Sequence, residues 1–179
     1  MGCDIHLYIE CRKKKADGTF GQWHPGIFGG EFLGSRNYDM FAYIGGVRGE
    51  SGQERIVPER GLPEDVSRYV EECTCCPILS DEKDYAYWFE STNRPVTREN
   101  ADKWVKEGIR RKWKHNTDYI YDPSKHSHNW CTTKELAKCI RKCENGELGV
   151  GYDWYLLLDH MKSYEKRGFE VRAVFWFDS

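Results

Sequence analysis

The stretch Cys3–Glu10, CDIHLYIE, alternates apolar and polar side chains without a break. Cys3, Ile5, Leu7 and Ile9 fall on one side of an extended chain, with Asp4, His6, Tyr8 and Glu10 on the other. That period of two predicts a half-buried strand. The pattern returns in residues 169–177, FEVRAVFWF, where Phe169, Val171, Ala173, Phe175 and Phe177 share one face. The opposite face carries Arg172, Trp176 and then Asp178. The two clearest strands are thus the first and the last, and helical patterns fill most of the space between. This order predicts an α+β fold: a small, mainly antiparallel sheet including the N- and C-terminal strands, with helices packed on one face. If those strands are neighbours, Arg172, Trp176 and Asp178 lie beside Asp4 and His6.

Tyr38–Ile44 reads as a short helix stopped by Gly45-Gly46. Pro63 opens another, running to about Glu72. Thr97 can cap a helix over about 98–112, with Ala101, Trp104, Val105 and Ile109 on one side. Thr132 and Glu135 form a capping box before the stripe Leu136, Cys139, Ile140, Cys143. The last helix is expected from about Asp153 to Lys166, ended by Gly168. Asp17-Gly18 marks a turn into a strand near Thr19–Trp23, and Asp118–Tyr121 is a short strand at best. Residues 24–37 and 45–62 read as loops, and 81–90 fits strand and helix equally well. No repeat or linker interrupts the chain, so 1–179 reads as one domain.

With 179 residues the chain can bury about 70% of its unfolded surface and needs no disulfides. Charged residues make up 31% and the net charge is −2, so no global field recruits nucleic acid and no sequence-specific nucleic-acid partner is expected. Residues 62–90 hold eight acids against two bases, and residues 101–145 eleven bases against six acids. The opening lacks a basic lead-in and an apolar run, and no segment approaches the ~18 apolar residues of a membrane span. The expectation is a cytoplasmic protein without a membrane partner. Its eight cysteines are then thiols or metal ligands. Cys73-Thr74-Cys75-Cys76 and Cys139/Cys143 either form a zinc site or pack as a buried loop and a helix face.

Four places could carry chemistry. Asp4 and His6 share a strand face, as a metal-binding pair or an oriented base. His126-Ser127-His128-Asn129-Trp130 lets both imidazoles converge if extended. Together, Asp4, His6, His126 and His128 have the composition of a site for Zn, Mn or Mg, with Asp4, His6 and His128 catalytic. Arg48, in Gly45-Gly46-Val47-Arg48-Gly49, and Arg60 beyond it could grip an anion, with Trp130, Arg172 and Trp176 completing a ligand-binding set. Cys131 is a weaker candidate nucleophile. Walker, Rossmann, zincin, zinc-deaminase and serine-hydrolase patterns are absent.

The segments MGCDIHLYIE, YDMFAYIGGVR, RGLPEDVS, HSHNW and VRAVFWFDS resemble a family of small proteins carried mainly by bacteriophages and prophages, without an assigned activity. The CTCC cluster and the Lys/Arg-rich 97–114 segment are not part of that pattern. The resemblance implies a phage-encoded accessory protein acting in the host bacterial cytoplasm. Three functions fit. One is binding of an anionic, nucleotide-like small molecule, such as a host defence signal held by sequestration. A second is metal-dependent hydrolysis, for example as a phosphodiesterase. The third is a protein–protein adaptor that blocks a host factor.

Overall fold

The computed structural model describes residues 2–26, 31–32, 34–50, 53–79, 95–114, 117–146 and 149–178. Its elements run β1 (Asp4–Lys13), β2 (His24–Pro25), α1 (Tyr38–Gly45), α2 (Arg68–Cys73), β3 (Cys75–Pro77), α3 (Arg98–Lys106), β4 (Arg111–Lys114), β5 (Thr117–Tyr121), β6 (Lys125–Cys131), α4 (Thr133–Glu144), α5 (Tyr152–Lys166) and β7 (Phe169–Asp178). The chain divides into two units, residues 1–67 with 126–179, and residues 68–125.

In the first unit the two end strands pair along their whole length. Asp4 stands opposite Asp178, His6 opposite Trp176 and Glu10 opposite Arg172, in antiparallel register. The sheet order is β2-β1-β7-β6. The inner face carries Cys3, Ile5 and Leu7 from β1 and Val171, Ala173, Phe175 and Phe177 from β7. Against it pack Met40, Phe41 and Ile44 of α1, Leu136 and Ile140 of α4, and Trp154, Leu157 and Met161 of α5. Burying each large apolar side chain contributes about 1.5–3 kcal/mol, so this layer dominates the unit's stability. Asn37 caps α1 by accepting from the Met40 N–H, and Gly46 ends it in a left-handed conformation (φ 69°). Gly45 has a different reason to be glycine: a Cβ there would come within 2.7 Å of the Phe177 ring. The Thr132/Glu135 capping box opens α4 as the spacing predicts.

Several expectations change. The outer face of β7 is also covered, since Arg172, Val174 and Trp176 are all buried. The strand expected at Thr19–Trp23 shrinks to a single bridge, Lys14 to Phe20, followed by the two-residue β2. Pro63–Val66 forms a turn, with the Val66 N–H on the Pro63 carbonyl, and α2 starts only at Arg68. The HSHNW segment is extended and lies in β6. Strand β4 replaces the last turn expected of the 98–112 helix. The chain turns at Gly108 (φ 93°), and the residues after it pair with β5.

The second unit has its own three-stranded antiparallel sheet, order β3-β5-β4. Cys76, Ile78, Ala101 and Ile120 form its core, joined by Val96, Trp104 and Ile109. The CTCC segment is the end of α2 and the start of β3, not a loop. Glu71 of the acidic stretch lies 3.0 Å from the Lys112 ammonium of the basic stretch and also pairs with Lys114, while Arg111 pairs with Asp118 and Asp102 of its own stretch. Residues 81–90 lie outside the described residues. Among the described residues no helix is long and apolar enough to cross a membrane.

Candidate functional site

The site begins with two charges that the strand register places face to face. Glu10 and Arg172 point away from the apolar core, yet Glu10 is 0% and Arg172 4% exposed. Buried charges persist only when paired and hydrogen-bonded. Arg172 Nε donates to Glu10 Oε2 at 2.8 Å, and the Ser67 N–H donates to Oε1 at 2.6 Å. Arg172 Nη1 reaches Asp65 Oδ1 at 2.7 Å. The segment 65–67 is thereby tied across the outer face of β1 and β7.

Aromatic rings fill the gaps between the guanidinium groups. The Arg172 guanidinium lies 4.0 Å from the Trp23 ring and 5.9 Å from Trp130. Arg12 sits 4.4 Å from Trp23 on β1's side, with Phe20 4.6 Å away. Arg60 sits 4.4 Å from Trp130. The contacts run Arg12, Trp23, Arg172, Trp130, Arg60. Each cation–π contact contributes about 0.5–2 kcal/mol, more where water is excluded. The Trp23 indole N–H donates to Asp65 Oδ2 at 2.8 Å, fixing the ring. This wall borders a cleft of about 680 Å³, also lined by Glu64, Asp65, Thr132, Glu165 and Glu170. That is the size of a pocket for a small molecule.

Every guanidinium here has a carboxylate partner. Arg60 makes a two-pronged contact with Glu135 and donates to the Trp130 carbonyl at 3.0 Å. Asn129 holds that loop, accepting from the Arg60 N–H and donating to the Pro58 carbonyl, both at 3.0 Å. Arg12 bonds Glu170 at 2.7 Å and Asp65 at 3.3 Å. Burial would raise the Asp65 carboxyl, but hydrogen bonds from Arg172 and Trp23 hold it below its ordinary value. Glu135 is likewise lowered: burial raises it, and Arg60 with the Thr132 cap outweigh that.

The expected ligand set therefore splits. Arg60, Trp130 and Arg172 line the cleft. Trp176 does not; it is 1% exposed, with His6, His128 and Tyr8 rings 5.9, 5.8 and 5.2 Å from it. Arg48 lies instead beside Cys3, where it opposes the rise in the thiol's pKa that burial causes. Sequence reasoning missed Arg12, Trp23, Asp65 and Glu10. One signal was available: RGLPEDVS supplies both Arg60 and Asp65, HSHNW supplies Trp130, and the closing strand Arg172.

The two chain ends do build one polar face, and its groups bind one another. Arg36 grips Asp4 through two hydrogen bonds of 2.5 and 2.6 Å and lowers its pKa. His6 has Glu31 at Nδ1 and Asp178, at 3.1 Å, at Nε2. Burial would lower the His6 pKa, but the two carboxylates raise it above 6.5 overall. A ring held at both nitrogens, with Asp178 of β7 on one of them, is a clasp between β1 and β7. His128 lies across β7 from His6, with the Trp176 ring between them. Ser127 has a φ of 53°, which breaks the strand alternation and leaves His126 against Phe177. The four expected metal ligands are thus spread over the sheet. Among the described residues no group of three or more His, Cys, Asp or Glu side chains could hold a metal ion.

All eight cysteines are free and buried. Burial pushes Cys76, Cys139 and Cys143 up to about 12 and Cys131 well above its usual value, so Cys131 is a packed thiol and not a nucleophile. No family model, curated protein or solved structure matches this chain.

Proposed function

We propose that this chain is a small-molecule-binding protein and that the cleft beside Arg12, Arg60 and Trp130 receives the anionic group and planar ring of a nucleotide-like ligand. One observation carries the reading: three guanidinium groups and two indoles, drawn from distant parts of the chain, line one ligand-sized cleft. Arginine forks match phosphate and carboxylate, and guanidinium and indole planes both stack on flat rings.

The three arginines have unequal roles. Arg172 is locked in place by Glu10 and supports the wall. Arg60 is held on two prongs by Glu135. Arg12 is the exchangeable one, because its partners Glu170 and Asp65 are 42% and 57% exposed. Such solvent-facing pairs are worth only about 0–1 kcal/mol, so an incoming anion can replace them. The prior pairing of every arginine limits the ligand to a single anionic group. In a phage-borne accessory protein, which the resemblance implies, such a site would serve to sequester a host metabolite or signal. The clasping of Asp4 and His6 by Arg36, Glu31 and Asp178 leaves the hydrolase reading without support.

Calorimetric titration with adenosine monophosphate tests the proposal. Wild type should bind it, and Arg12→Ala, shown by circular dichroism to be folded, should weaken binding about tenfold. Equal affinity of wild type and Arg12→Ala sinks the assignment of the site.

A further inference from the structure

We infer that the ligand of this cleft carries a cationic group, an ammonium or guanidinium, as well as its single anionic group; this rests on the cleft being a binding site. The ground is the balance of committed and uncommitted charge around one cavity. Arg12, Arg60 and Arg172 line it, but so do Glu64, Asp65, Glu165 and Glu170. Behind them Glu10 and Glu135 already match Arg172 and Arg60. The arginines are therefore neutralised from within the wall.

Two of the carboxylates are not neutralised. Neither the Glu64 nor the Glu165 side-chain carboxylate makes a hydrogen bond or ion pair among the described residues, and both residues are exposed. An anionic group seated at Arg12 would also displace Glu170 from that guanidinium, which frees a further carboxylate on the same cleft, whereas Asp65 keeps Arg172 and Trp23. Binding an anion alone thus leaves three uncompensated carboxylates around the ligand. A ligand with a cationic group answers them, and a purely anionic ligand meets repulsion. The class is zwitterionic: an amine-bearing nucleoside monophosphate or an amino-acid-like guanidino compound. A polyphosphate or a dinucleotide with two phosphates is selected against.

The test uses matched probes on the full chain: adenosine monophosphate, its N6-(2-aminoethyl) derivative, and L-arginine. Calorimetry at low and moderate salt is run on wild type and on Glu64→Gln/Glu165→Gln. Either amine-bearing probe should bind wild type about tenfold more tightly than adenosine monophosphate, and the advantage should vanish in the double variant and shrink with salt. If adenosine monophosphate binds as well as both amine-bearing probes, or the advantage survives the double substitution, the inference is overturned while the binding site stands. If no probe binds wild type, both are overturned together. Circular dichroism of the double variant, whose substitutions are at exposed positions, confirms that it folds.

Discussion

Replacing Arg172 with Met removes a guanidinium from between two strands and leaves its partner behind. Glu10 is 0% exposed and keeps only the Ser67 N–H as a donor. Removing one member of a buried ion pair typically costs about 3–5 kcal/mol, because the other charge stays desolvated. Met retains much of the side-chain volume, so cavity formation adds little. Urea unfolding followed by tryptophan fluorescence should give Arg172→Met about 3–5 kcal/mol below wild type at pH 7.5. The double variant Glu10→Leu/Arg172→Met removes both charges and should return to within about 2 kcal/mol of wild type, the remainder being the lost contacts of Arg172 with Asp65 and Trp23. A loss under about 1 kcal/mol for Arg172→Met at pH 7.5 would refute the buried-pair account.

Other consequences can be measured directly. The raised His6 pKa means that its contribution is full below about 6.5 and is lost as pH rises through the folded value, because neutral imidazole can donate to only one of Glu31 and Asp178. Wild-type stability should therefore decline above neutrality, and His6→Gln should flatten that decline; parallel curves for the two proteins would remove the clasp. Gly45→Ala drives a methyl into the Phe177 ring and should cost about 1–3 kcal/mol in urea unfolding. A cost below about 0.5 kcal/mol would show that the ring has room to move. The buried thiols should react with Ellman's reagent only on unfolding, and fast reaction of Cys131 in native protein would contradict its burial.

The parts of the fold visible in the sequence were those set by local periodicity. CDIHLYIE and FEVRAVFWF announce β1 and β7 because each has one face on the core, and Thr132 with Glu135 announces α4 because a cap is a contact between near neighbours. β6 was hidden because KHSHNWC has no apolar stripe: only Asn129 and Cys131 are buried, one of them polar. β4 was hidden because its residues continue the composition of α3, and only Gly108 marks the break. The burial of the outer face of β7 has no local signal at all. It depends on Asp65 and Ser67 crossing over a strand more than a hundred residues away in sequence from Asp65. For the same reason the sequence displayed Arg60 and Arg172 but not the carboxylates that neutralise them. Glu10 and Arg172 are 162 positions apart, and Arg60 and Glu135 are 75.

The most direct test of the cleft follows the tryptophan indole N–H resonances of ¹⁵N-labelled protein while adenosine monophosphate and its N6-(2-aminoethyl) derivative are added. Trp23 and Trp130 line the cleft, whereas Trp154 and Trp176 are buried at 0% and 1% exposure outside it. The account predicts saturable shifts of the Trp23 and Trp130 signals, absent in Arg12→Ala, with Trp154 and Trp176 unmoved. Shifts confined to Trp154 and Trp176, or no saturable shift of any indole, would contradict it.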